Sequence, residues 1–168
     1  MRLIAVFALC SMALCAADKK GVVTVETDTA TIIVSTKKVG KFEPGCPAAL
    51  CSIYLKVVNK RSAPLPLDLP KFFIRTPDGK ALKWLPPDEA VDRWFSRLAR
   101  WIGSRESGNA TLDNMAGDMK KRILTPGDVP AESFREGLLY FEGPDKRQPS
   151  GATVHLVGLH DQVISLAW

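Results

Sequence analysis

The chain reads as mainly β: an antiparallel sandwich of about eight strands carrying one inserted helical hairpin. Three observations predict it. Short runs rich in β-branched and aromatic residues, separated by turn residues, recur from Gly21–Glu26 (GVVTVE) to Gln162–Trp168 (QVISLAW). The apolar period changes from two to 3.6 in a single stretch, residues 87–124. No strand–helix–strand alternation, the mark of a parallel sheet, is present in the sequence.

The N-terminus changes every later count. Arg2, an apolar run from Leu3 to Leu14 and the small residues of Cys15-Ala16-Ala17 form a secretory signal peptide pattern. The run is too short to span a membrane. Lipidation at Cys15 is the competing reading. Leu14 stands where such signals carry a small residue, so cleavage is placed after Ala17. Removing residues 1–17 leaves 151 residues in one expected domain, 18–168, and takes one Arg and no acid, so the net charge goes from +5 to +4. A chain of that size buries roughly 70% of its unfolded surface, enough for one core. The expected location is secreted or periplasmic, with no membrane span. The positive charge is spread along the chain and points to no nucleic-acid partner.

Export also sets the reading of the cysteines. Cys10 and Cys15 leave with the signal, and the mature chain keeps Cys46 and Cys51 in CPAALC. An even pair in an oxidising compartment reads as a disulfide. So short a loop contributes only ~2 kcal/mol in the chain-entropy model. Redox-active pairs usually have two intervening residues, and here there are four.

Gly21–Glu26 and Thr31–Thr36 are the first two strands, joined by Thr27-Asp28-Thr29. A Gly- and Pro-containing loop covers 37–49. Ser52–Asn59 alternates, with Ile53, Leu55 and Val57 on one side and Tyr54, Lys56 and Val58 on the other, as a half-buried strand does. Pro64, Pro66 and Pro70 limit Leu65–Leu69 to an edge strand at best. Phe72–Thr76 and Lys80–Leu85 flank a Pro77-Asp78-Gly79 hairpin turn, in which Pro presets φ, Asp bonds the backbone and Gly accepts positive φ.

From Pro87, residues Val91, Trp94, Phe95, Leu98, Trp101 and Ile102 fall on one helical stripe, with Arg93, Arg97 and Arg100 opposite. Pro87 suits a first helical turn, acids lead and arginines follow, and Gly103 stops the helix. Leu112, Met115, Met119 and Ile123 form a weaker second stripe with Thr111 as N-cap, ended by Pro126-Gly127. Strands return at Gly137–Glu142, Ala152–Leu159 and Gln162–Trp168, with a loop over 143–151 and His160-Asp161 joining the last pair.

The succession SIYLKVVNK, FFIRTPDGK, an insertion, LTPGDVPAESFREGLLYFEGP and a closing pair of strands resembles the immunoglobulin-like domains of uncharacterised bacterial secreted proteins and lipoproteins. The resemblance covers residues 20–85 and 124–168 and rests on turn chemistry; the helical insertion departs from it. It implies a binding or structural module outside the cytoplasm and supplies no catalytic residues.

The sequence carries no glycine-rich phosphate loop, no Gly-x-Ser-x-Gly and no His-Glu-x-x-His. The reading is therefore not an enzyme, with no catalytic residue, cofactor or metal assigned. The sharpest chemical alternative is a metal-binding or redox-responsive protein using Cys46/Cys51 and His155/His160, each pair with four residues between its members. Against it, the cysteines oxidise outside the cytoplasm, His155 faces outward between the inward Val154 and Leu156, and His160 sits in a turn. The tryptophan stripe has three readings: packing on the sheet, a partner-binding surface anchored by Trp94, Phe95, Leu98 and Trp101, or an interfacial membrane helix. Asn109-Ala110-Thr111 matches a glycosylation sequon, but the resemblance is bacterial, and the match is read as chance. The expected role is a non-catalytic binding or structural module whose partner is another extracytoplasmic protein, met through the helical insertion.

Overall fold

The structure, a computed structural model, describes residues 21–45, 50–102, 109–143 and 151–167, with the backbone alone for 97–102 and 109–113. The signal segment and Cys46 lie outside the described residues. The elements are β1 (Val22–Glu26), β2 (Ala30–Ser35), β3 (Leu50–Asn59), a 3-10 turn (Leu69–Lys71), β4 (Phe73–Arg75), β5 (Ala81–Lys83), α1 (Pro87–Ile102), α2 (Asn109–Arg122), β6 (Phe134–Glu142), β7 (Thr153–Leu156) and β8 (Gln162–Ser165). The protein is mainly β, with two antiparallel sheets, β1-β2-β3-β6 and β5-β4-β7-β8. Among the described residues no helix is long and apolar enough to cross a membrane.

One core joins the sheets. Val23, Val25, Ile32, Val34, Ile53, Leu55 and Val57 come from the first sheet, and Ile74, Leu82, Val154, Leu156 and Ile164 from the second. The alternation at β3 put Ile53, Leu55 and Val57 inward, and all three are fully buried. A half-buried strand was the expectation, yet Leu50, Ser52 and Tyr54 on the other face are buried too. Two things cover them: the loop carrying Phe42, whose ring lies 5.2 Å from Tyr54, and the helical hairpin, which packs on Leu50. β3 pairs on both edges, with β2 and β6, so it is an interior strand of its sheet.

The prolines act as expected around Leu65. That residue makes a single bridge with Val129, 2.9 and 2.8 Å, and Leu69–Lys71 then turns as a 3-10 helix. Pro66 and Pro70 have no N–H to extend the ladder. Pro77-Asp78-Gly79 forms the hairpin, with Gly79 at φ 87° and Thr76 and Lys80 closing it at 2.9 Å. The carboxylate of Asp78 accepts from the Thr76 hydroxyl, which holds its pKa below the ordinary value. Two expected spans are corrected. The strand from Ala152 stops at Leu156, because 157–161 turns through Gly158, His160 and Asp161 at positive φ. Thr111 lies inside α2, which begins at Asn109.

A buried asparagine fastens the loops at one end. The Asn59 side-chain amide donates to the carbonyls of Ala63, Val129 and Pro130 at 2.9, 3.1 and 3.0 Å, and its oxygen accepts from Arg61 N–H at 2.9 Å. A polar side chain this deep is stable because its donors and its acceptor are used.

Candidate functional site

The helical hairpin joins the first sheet by backbone and by side chain. On entry, Leu85 N–H donates to Tyr140 C=O at 2.8 Å; on exit, Leu124 N–H donates to Leu138 C=O at 2.9 Å. Both bonds fall on the β6 edge that β3 leaves open. Gly137 permits the exit, since a Cβ there would lie 2.7 Å from Leu124 N. Inside the hairpin, Ala90 and Val91 meet Met119 and Ile123, and together they cover Leu50 and Leu85. Charges reinforce the placement: Glu89 and Arg93 pair at 2.7 Å along α1, Arg93 reaches Glu142 of β6 at 3.7 Å, and Lys120 of α2 pairs with Asp88 at the start of α1 at 2.8 Å. Exposed pairs of this kind are worth little each, so the apolar contacts carry the docking.

Where the hairpin meets the outer face of β6, a cleft of about 250 Å³ opens between Trp94, Met115, Met119, Leu138 and Tyr140, with Glu43, Asp118 and Arg122 beside them. Each wall has a local cause. Leu138 and Tyr140 alternate with the inward Leu139 and Phe141 along β6. Met115 and Met119 are one helical turn apart on α2. Arg122 donates to the Lys41 carbonyl at 3.2 Å, tying the end of α2 to the loop that carries Glu43. Burial pushes the Tyr140 hydroxyl up to about 12, against the pull of Arg122, so it is a neutral phenol at ordinary pH. Methionine side chains adapt to varied shapes, and Met115 is 42% exposed. The cleft therefore offers an adaptable apolar lining and charged neighbours of both signs.

The expected site residues are distributed as follows. Trp94 and Phe95 are half-buried, packed on the hairpin core and edge to face with each other at 5.4 Å; Trp94 also lines the cleft. The side chains of Leu98 and Trp101 lie outside the described residues. Cys51 is buried in the main core. His155 is on the outer face of the second sheet, stacked on Phe73 at 4.4 Å and within 3.1 Å of the Thr153 hydroxyl; burial, then Arg75, lowers its pKa. His160 lies in an exposed turn, 2.6 Å from the Thr29 hydroxyl. The three described residues of the metal alternative are thus not gathered: Cys51 faces the core, His155 faces away from it, and His160 meets the β1–β2 turn. Among the described residues, no group of three His, Cys, Asp or Glu side chains is arranged to hold a metal ion.

Tyr140, Met115 and Met119 were not singled out as site residues. The alternation of GLLYFE placed Tyr140 opposite Leu139 and Phe141, but which face the hairpin would cover is a tertiary matter. Against known proteins, the chain matches no family model and no curated protein. Among solved structures it is similar to the crystal structure of the YjhA protein from Bacillus subtilis, at 14% identity and a TM-score of 0.48, over 86% of this chain and 96% of that one.

Proposed function

We propose that this chain is an extracytoplasmic, non-catalytic binding module of immunoglobulin-like type, exported by a signal peptide cleaved after Ala17, that meets another extracytoplasmic protein at its helical insertion. The observation that carries the binding reading is the cleft between the hairpin and β6. Val91, Trp94 and Phe95 of α1 pack on the hairpin core, and beside Trp94 the cleft presents the adaptable wall of Met115, Met119 and Tyr140. Two four-stranded antiparallel sheets over a shared core support the immunoglobulin-like assignment. A Cys46–Cys51 disulfide belongs to the same proposal. Gly45 and Ser52, the residues flanking the two cysteines, are bridged, with Ser52 N–H donating to Gly45 C=O at 2.6 Å and the Ser52 hydroxyl accepting from Gly45 N–H at 3.0 Å.

The test is expression in a bacterium with the N-terminus intact, a photo-crosslinking residue being placed at Met115 or, as a control, at Val163 on β8. The expected product is extracytoplasmic, shortened by residues 1–17 and lighter by the two hydrogens of a disulfide, with protein adducts from position 115 and none from 163. A full-length cytoplasmic product with Cys46 and Cys51 among four free thiols, or equal adducts from both positions, overturns the proposal.

A further inference from the structure

The outer face of the second sheet carries a second, chemically different concavity. Register sets its composition: Lys83, Phe73, His155 and Val163 stand in one row across β5, β4, β7 and β8. Arg75 follows Phe73 on the same face, its guanidinium 5.8 Å from the ring centre. His155 covers one face of the Phe73 ring, 8° from parallel. On the β5 side of this row, a depression of about 430 Å³ is lined by Phe73, Trp84, Pro70, Pro86, Lys71 and Lys83. That volume is within the range of small-molecule sites, about 300–1,000 Å³. The lining is apolar and aromatic, and the charged side chains in it are both cationic.

Trp84 adds an independent observation. Its indole Nε1–H is buried and has no hydrogen-bond partner, although buried donors in folded proteins are almost always paired. With Nε1 enclosed, what Trp84 contributes to the lining of the depression is apolar ring surface. Lys71 is paired with Asp68 at 2.7 Å, both side chains being largely in solvent. Exposed pairs are weak, so an anion that also reaches Lys83 competes with Asp68 on favourable terms.

We propose that this depression binds an amphipathic anion: a flat apolar ring system seated between Phe73 and Trp84, with a carboxylate, sulfonate or phosphate group held by Lys71 and Lys83. The site is separate from the hairpin cleft and does not depend on the export reading. Aromatic ring faces and prolines supply apolar contact at low entropic cost, and two ammonium groups at its border select the charge.

The experiment uses 8-anilinonaphthalene-1-sulfonate, a fluorescent aromatic sulfonate, with neutral N-phenyl-1-naphthylamine as its uncharged counterpart, each titrated into the full chain. The expected result is one-to-one sulfonate binding that weakens about tenfold or more in Lys71→Gln/Lys83→Gln, the loss of a charge-assisted contact, with neutral-probe affinity unchanged. Both lysines are exposed, so the double variant keeps the fold, which a thermal melt verifies. Phe73→Ser weakens both probes. No saturable sulfonate binding, equal affinity in the lysine variant, or loss of binding in Met115→Glu at the hairpin cleft overturns the proposal.

Discussion

Two glycine-to-alanine changes in the hairpin region have opposite expected signs, and the contrast tests how the hairpin is seated. A Cβ on Gly137 would stand 2.7 Å from Leu124 N and 3.0 Å from both Arg122 O and Leu124 Cα. All three are backbone atoms and cannot rotate away. Overpacking of this kind costs about 1–3 kcal/mol. Displacing the exit also weakens the 2.9 Å bond from Leu124 to Leu138, worth roughly 0.5–1.5 kcal/mol. Gly137→Ala is therefore expected to destabilise by about 2–4 kcal/mol, which for a chain of this length is a Tm drop on the order of 5–15 °C. Gly117, inside α2, has open space where its Cβ would go. There alanine relieves the entropic cost of a helical glycine, about 0.5–1 kcal/mol, and Tm rises by roughly 1–4 °C. Circular dichroism melts of the parent and both variants decide the matter. Shifts of the same sign, or a Gly137→Ala melt within about 2 °C of the parent, refute the close approach of the α2 exit to β6.

Asn59→Ala removes four hydrogen bonds that span two loops and should cost about 2–4 kcal/mol in urea unfolding; a loss below about 1 kcal/mol contradicts that role. Asn59→Asp keeps the size but sets a carboxylate against three carbonyl oxygens, so its deficit should be larger at pH 7 than at pH 4. The lowered pKa of His155, from burial and then Arg75, fixes another sign. The fold favours the neutral ring, so its contribution is complete above about 6.5, the ordinary histidine value, and is lost as pH falls through the folded value. His155→Gln should flatten the stability decline between pH 7 and 5 relative to the parent, and an unchanged slope rejects the assignment.

Elements whose signal is local were legible in the sequence. The strands flanking Pro77-Asp78-Gly79 are there because a proline, an acid and a glycine in that order force a hairpin whatever surrounds it. Helix α1 begins at Pro87 and runs to Ile102, as the one clear change of period demanded. What failed was of another kind. Tyr54 read as solvent-facing because alternation reports two faces and not what later covers them; Phe42, twelve residues earlier, is that cover. The apolar Val157 and Leu159 prolong the expected strand past Leu156, while the positive φ of Gly158, His160 and Asp161, which turns the chain there, has no signature in the apolar pattern. Trp94 and Phe95 spend most of their surface on packing against the hairpin core, and the cleft beside Trp94 depends on Met115, Met119 and Tyr140 from other elements.

The position of the hairpin follows from an edge problem. A sheet ending in β6 would expose a nine-residue row of unpaired backbone groups, a template for association with other chains. The chain reaches that edge at Leu85 and returns to it at Leu124, donating to Tyr140 and Leu138 two residues apart on β6. The 38 residues from Pro86 to Ile123 thus leave and rejoin the same strand edge, and the hairpin lies over the face between its own attachment points. That explains why Gly137 must be a glycine, why Pro86-Pro87 follows the last bonded residue, and why the cleft forms where it does. A helix pair anchored by its ends to one strand cannot also match that strand's outer face along its whole length, and the mismatch beside Tyr140 is the space the methionines line.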